Sequence, residues 1–428
     1  PYDIALLLQP ELNNRSSIGI SIIDSKYDGI TIDAFNAVGG FVGYLDNNDT
    51  EIESTLVTNN EITVGNGSKI GTNKAAIYAG GVFGYIKTKI KVNAKATGKA
   101  VLQDIQITAK PSTSDSGWAG GLIGMIDGKE YQINRVLFKG TKADKAAITT
   151  PKGKGMGTGG IVGYAKGSGN ENKFTECNLE KGTINTVNHA TASDKDRSQG
   201  AGGIVGIISH GVVTFENCSI TSSKIYGAIA GGIAGNVKIK TSFTSCAVTG
   251  SSDSDKTEVK GYCCAGGIFG IFNNKNTVSI KKSNVRFLDV TGQAWGVGAF
   301  GGDSDNNNTG ALYIFDCAAQ NANVVGGKQT WNKVGGIIGN LRGNFAASNI
   351  LIANVTFDGP SKTGVLFGDV RSNAVEYINI AGISLQGINP DIKLYKVDGT
   401  DNISSKSYFA FADYSGSALN AEQVGNTN

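Results

Sequence analysis

The stretch Ala201-Gly202-Gly203-Ile204-Val205-Gly206, followed after a polar turn by Phe215-Glu216-Asn217-Cys218-Ser219-Ile220, decides the fold because both halves recur along the chain. The first half returns as VGGFVG ending at Gly43, AGGVFG at Gly84, AGGLIG at Gly124, TGGIVG at Gly163, AGGIAG at Gly235 and AGGIFG at Gly270. It continues as VGAFGG at Gly302, VGGIIG at Gly339 and TGVLFG at Gly368, ten copies in all. The spacing averages about 36 residues but ranges from 29 to 43. A constant string at a variable interval marks a fixed structural rung joined by loops of free length.

The second half gives a matching column of the form apolar-x-x-small-x-apolar. It reads Phe174, Cys177, Leu179, then Phe215, Cys218, Ile220, then Phe243, Cys246, Val248, then Ile280, Ser283, Val285 and then Ile314, Cys317, Ala319. Later copies are read as Ile350, Ala353, Val355 and as Val375, Ile378, Ile380. Looser early ones are Ile52, Thr55, Val57, then Leu102, Ile105, Ile107, and Ile133 with Val136.

Short period-2 runs of apolar and β-branched residues bounded by Gly, Asn, Asp and Ser are the strand signal. A unit of a few short strands has no core of its own and must bury its apolar positions against its neighbours. The expected fold is all-β: a right-handed parallel β-solenoid of about ten coils with terminal caps, each coil adding one rung at about 4.8 Å. A propeller ranks second, because units of 29 residues are too short for four strands and their turns. Residues 1–36 are expected to form an N-terminal cap or first coil, 37–385 the repeats, and 386–428 a C-terminal cap and tail. Ile18, Ile20, Ile22, Ile30 and Ile32 alternate like strands, while Tyr395, Tyr408, Phe409 and Phe411 supply the final cap and Ser415 opens the tail.

The residue before the Gly pair is small in every copy and is expected to point inward. Two adjacent apolar columns follow it, Phe41, Val82, Leu122, Ile161, Ile204, Ile233, Ile268 and Val42, Phe83, Ile123, Val162, Val205, Ala234, Phe269. Neighbouring strand residues face opposite ways. Either the Gly pair kinks the backbone, or this sheet is covered on both sides; cover by the long loops is the favoured expectation.

Composition narrows the function classes. Gly makes up 61 of 428 residues, which argues against long helices. With only 6 Pro and 40% hydrophobic residues, the Gly excess is that of a folded chain. Apolar runs are far too short to span a bilayer, the longest near the start being Ile4-Ala5-Leu6-Leu7-Leu8. The sequence starts at Pro1, so the expectation is that any secretion signal or lipid-attachment segment has been removed or lies outside the given sequence, and secretion must be inferred otherwise. The net charge of +3 is scattered with no basic stripe, so nucleic acid is not an expected partner.

Catalytic and metal-binding material is sparse. Cys177, Cys218, Cys246 and Cys317 share one repeat position where other copies carry Ser283, Ala353 or Thr55, so they read as small buried free thiols. Cys263 and Cys264 are adjacent, and no CxxC pair exists. His189 and His210 stand alone in loops. Asp303, Asp305 and Asn307 outline an acidic loop, but Asn308 replaces the calcium-loop Gly and Ile314 the closing Glu, so the segment reads as a solvated turn. Asp194, Asp196 and Arg197, and Asp253 with Asp255, lie in loops where carboxylates could flank a sugar. Trp118, Trp295 and Trp331 sit just upstream of Gly strings and are the candidate sugar-stacking residues, against the alternative that each covers apolar rungs. No catalytic residue and no cofactor is implied.

AGGIVGI (Ala201–Ile207), with FTECNL (Phe174–Leu179) and FENCSI (Phe215–Ile220), resembles the GLUG motif repeat of secreted and surface proteins of gut Bacteroidetes-type bacteria. The resemblance covers about residues 37–385 and is weakest in the first two copies and the last. It implies a surface-exposed β-solenoid, sometimes attached to peptidases, with structural motif residues and no catalytic residue to carry over. The expectation is a non-enzymatic extracellular or cell-surface protein, an adhesin, stalk or module binding glycan or a host or partner surface. A polysaccharide-degrading β-helix enzyme, which would need acidic and basic residues stacked on neighbouring rungs, and a fibre subunit are the alternatives; the aligned columns show no such stacking.

Overall fold

The computed structural model describes residues 20–388 apart from short stretches at 47–52, 72–76, 113–114, 143, 152, 154, 187–197, 273–274, 305–309, 330, 360–361 and 371–377, together with 395–396 and 409–411. Among the described residues every named element is a strand. The strands form a 33-stranded and a ten-stranded sheet with all pairings parallel, plus a small antiparallel pair, Tyr395–Lys396 with Phe409–Phe411. The protein is a parallel β-solenoid of ten coils followed by a partial coil, Ile378–Gln386.

One coil shows the plan. Asn172–Thr175, Asn178–Glu180, Thr183–Thr186 and Gly200–Gly202 are its first four segments, and Val205–Ser209 its fifth. The first four belong to the large sheet and the fifth to the ten-stranded one. In later coils the segments fuse, as in Ala311–Gly326. Matching letters do stack: Phe174 pairs with Phe215 and Phe215 with Phe243, and their rings lie 4.9 Å apart within the core.

Register corrects several early and late members of the second column. Leu56 and Val92, not Ile52 and Leu102, align with the Phe174 position. Leu102 pairs with Val64 and Phe138 on the second segment. Ala347, Ile350 and Ile352 replace Ile350, Ala353 and Val355, and the final copy is Ile380, Ile383 and Leu385. Neither Thr55 nor Ala353 therefore occupies the cysteine position. The misreading has a physical source: the loose pattern spans a corner, and apolar residues on either side of it mimic one another.

That corner is a residue in left-handed conformation. Glu176, Asn217, Ser245, Lys282, Asp316 and Asn349 all have φ between 50° and 56°, each two residues after the core position of the first segment. A single left-handed residue between extended ones breaks the strand alternation, so that the residue two before it and the residue directly after it, Phe174 and Cys177 for example, both point inward, and Asn and Asp tolerate it best. Asn349 Nδ2 donates to Asp316 Oδ1 at 2.9 Å, binding one corner to the next.

At the Gly string the chain bends at the second Gly and the following residue. Both apolar columns, such as Ile204 and Val205, then enter the same core. The kink, not cover by loops, reconciles adjacent buried residues. A Cβ on Gly202 would overlap the carbonyl oxygen of Val205, and one on Gly206 would crowd Thr158 and Gly163 of the preceding coil. The first and third glycines let the fourth and fifth segments touch backbone to backbone.

Candidate functional site

The fourth and fifth segments fold against each other along the rod, and the side chains that face away from the main core fill the crease between them, most of them buried. Their core-facing residues are, in the second coil, Ala79, Val82, Phe83 and Ile86; Tyr78, Gly80, Gly84 and Tyr85 face the other way. The glycines make the floor. The lips are two ladders, one residue per coil. The fourth-segment lip runs Ala37, Tyr78, Trp118, Gly157, Gly200, then Ile229, Cys264, and finally Gly296, Lys333, Lys362. The fifth-segment lip runs Tyr44, Tyr85, Met125, Tyr164, Ile207, then Asn236, Ile271, and finally Asp303, Asn340, Asp369.

Aromatic rings fill the first coils of the crease. Tyr44 stacks on Tyr85 at 4.5 Å, Tyr78 on Trp118 at 5.3 Å, and Trp118 on Tyr164 at 5.7 Å. Tyr44, at the head of the ladder, is 48% exposed, whereas Tyr85 is buried. Burial, then the nearby Asp127 carboxylate, raises the Tyr85 phenol far above its ordinary value; Tyr44 and Tyr78 move up for the same leading reason. The middle of the crease is apolar, with Ile229, Cys263, Cys264 and Ile271 packed together beside Tyr262 and Trp295. The far end is charged: Asn340 Nδ2 donates to Asp303 Oδ1 at 2.6 Å, and Lys362 and Lys333 lie 2.8 and 3.8 Å from Asp369.

The three tryptophans do not form one platform. Trp118 is sandwiched between Tyr78 and Tyr164, so both of its faces are used. Trp295 lies one residue before the lip position, under the Lys333 ammonium at 5.6 Å. Trp331 stands in the preceding turn and is 47% exposed. Of the acidic-loop residues, Asp303 is buried in the crease, 3.7 Å from Cys264 Sγ, while Asp305 and Asn307 lie outside the described residues. His189, Asp194, Asp196 and Arg197, together with Ile18, Tyr408 and the tail from Ser415, also lie outside them. Asp253 faces Lys256 at 3.9 Å, and Asp255 accepts from Ser251 and Ser222, which lowers its pKa. His210 lies 3.0 Å from Ser209 Oγ. Among the described residues no group of three or more His, Cys, Asp or Glu is arranged to hold a metal ion.

All six cysteines are buried, and none is joined in a disulfide. Cys218 Sγ donates to Phe174 O of the preceding coil, as Cys177 does to Ile133 O, so the thiols tie rung to rung. Burial raises the Cys218 thiol well above its usual value and pushes Cys317 up to about 11.

Mixed acidic and basic columns, not apparent from the aligned letters, do exist. Lys224, Glu258 and Asp289 share one outward position on successive coils, with Tyr226 and Lys260 beside them. Tyr226 Oη and Lys260 Nζ both donate to Glu258 Oε2, at 2.8 and 2.6 Å. Glu258 is held below its ordinary value despite burial that opposes this, because these donors and the lysine charges favour the carboxylate. A general acid for glycoside cleavage needs the opposite shift. The sequence reading also missed Tyr44, Tyr78, Tyr85 and Tyr164. The signal was present: the residue after the third Gly and the residue two before the first Gly are the lip positions.

No family model matches the chain, and no curated protein matches it. A solved structure titled as a "putative immunoglobulin A1 protease from Bacteroides ovatus" is similar over 67% of this chain and 77% of its own, at 16% identity and a TM-score of 0.34. No helix among the described residues is long and apolar enough to cross a membrane.

Proposed function

We propose that this protein is a non-enzymatic GLUG-like repeat rod, secreted or displayed at a cell surface, that binds a glycan or a partner surface along its side. The observation that supports this reading is the crease. Its core-facing positions repeat from coil to coil, while its lips change from aromatic to apolar to charged. A wall that only stabilised the rod would need no such progression, and the amphipathic rings of Tyr44, exposed, and of Tyr78 and Tyr164, half-buried, suit hydroxyl-rich ligands. The carboxylates that stack with bases on the outer wall are ion-paired and hydrogen-bonded, which favours a structural role over catalysis.

A glycan array probed with the purified full chain tests the reading, alongside a reducing-sugar and unsaturated-sugar assay on the polysaccharides retained. Retention without product is expected. Release of sugar would replace this reading with the polysaccharide-degrading one, and Glu258→Gln would then be the first variant to assay. A Trp331→Ala variant tests the one tryptophan that is largely exposed.

A further inference from the structure

The outer margin of the crease carries another ladder. One residue beyond the position held by Ile86, Ile126, Ala165 and Ile208, at or just past the end of the fifth segment, Asp46, Lys87, Asp127, Lys166 and Ser209 occupy equivalent places on five successive coils. Their charges alternate. Asp46 pairs with Lys87 at 3.0 Å and Asp127 with Lys166 at 2.9 Å. The tyrosine hydroxyls point at this margin: Tyr44 Oη donates to Asp46 Oδ2 at 3.3 Å and Tyr85 Oη to Asp127 Oδ2 at 3.4 Å, while Tyr164 Oη lies 2.7 Å from Ser209 Oγ. The four charged side chains of these pairs are 25–37% exposed, so they remain open to a ligand.

Three properties define what fits. Polar groups repeating at the rung spacing of about 4.8 Å suit a polymer of nearly the same repeat, which an extended chain of pyranose rings has. The alternating charges cancel, leaving no net field to hold a polyanion. The faces of Trp118 are occupied by its neighbours, so contact comes through ring edges, hydroxyls, carboxylates and ammonium groups. We propose that this margin binds an extended, uncharged polysaccharide lying parallel to the rod axis, about one sugar ring per coil. Asp46 and Asp127 accept from sugar hydroxyls, and Lys87 and Lys166 donate to sugar oxygens. This rests on the glycan-binding reading above and adds the ligand class and its direction.

Calorimetric titration of the full chain with cello- and manno-oligosaccharides, from disaccharide to hexasaccharide, tests it, with polygalacturonate as the charged control. Affinity is expected to climb with each ring and level off at about five. Asp127→Asn and Tyr85→Phe are each expected to weaken hexasaccharide binding roughly tenfold. Lys173→Gln, which breaks the Lys173–Glu216 pair on the first segment away from the crease, should change it less than about twofold. Thermal melts of each variant separate lost binding from lost folding. Affinity independent of length, indifference to Asp127→Asn, or preference for polygalacturonate would overturn the axial geometry or the uncharged ligand. A positive array with no response to these linear probes would overturn this inference alone, whereas a blank array would remove the underlying reading as well.

Discussion

At the residue scale, the glycines of the repeat string differ in what they do. The first and third are Gly in every copy, because a Cβ there would enter the backbone of the facing segment or the preceding coil. The second is replaced by Ala299 and Val365, both buried, so the bend itself has room to shift. Gly206→Ala is therefore expected to destabilise the rod by about 3 kcal/mol or more and Gly203→Ala by roughly 1–3 kcal/mol, read from urea unfolding midpoints. The tyrosines give a pH signature. A phenol whose folded pKa lies above its unfolded value of about 10 stabilises the fold fully below that value and loses its contribution as pH rises toward the folded one. Tyr85 and the fully buried Tyr131 are both raised chiefly by burial, so stability should fall as pH climbs above about 10. Melts from neutral to strongly alkaline pH would show it, and Tyr85→Phe should make the decline shallower; an identical slope would reject the assignment. The thiols should resist a soluble thiol reagent until denaturant is added, because all six are buried.

At the scale of the strand and its corner, stability depends on left-handed residues that turn one segment into the next. Most are Asn, Asp, Ser, Glu or Lys, but Phe287 has φ 48° at the corner between second and third segments. A bulky residue there costs about 1–2 kcal/mol relative to one that tolerates the conformation. Phe287→Asn is expected to raise stability by about 1 kcal/mol in equilibrium unfolding, partly offset by loss of the Arg286 contact over its ring at 4.5 Å. The stacked Phe174, Phe215 and Phe243 are the opposite case. Phe215→Ala would remove the middle ring of the ladder and should cost about 3–5 kcal/mol. These corners explain the incomplete sequence register. The spacing from the first core residue, Phe or Ile, to Cys is read correctly where Cys marks the position, as at 177, 218, 246 and 317. Where Ile350 stands in that position, the letters alone allow a shifted alignment.

At the scale of the whole molecule, each coil meets only its neighbours, so stability should be nearly a sum over coils. Removing residues 212–239 joins Gly211 to Lys240, equivalent entrances to the first segment, since Val212 pairs with Lys240. The shortened rod is expected to remain folded, with a denaturant m-value lower by about 7%, in proportion to the residues removed. Collapse of the β circular dichroism signal would show that coils are not interchangeable. The sequence by itself determined the parallel solenoid, its ten coils, the buried cysteine position and the Gly string as a structural element, because identical letters must stack when no single repeat can bury its own apolar residues. It did not determine which way the residues beside the glycines face. Strict alternation fails wherever a left-handed corner or a Gly bend reverses it. Only the folded chain places Tyr44, Tyr78, Tyr85, Trp118 and Tyr164, far apart in sequence, in one crease. Close backbone approach at the glycines turned two short strands into a surface feature, and that approach is a property of packing between coils rather than of any one repeat.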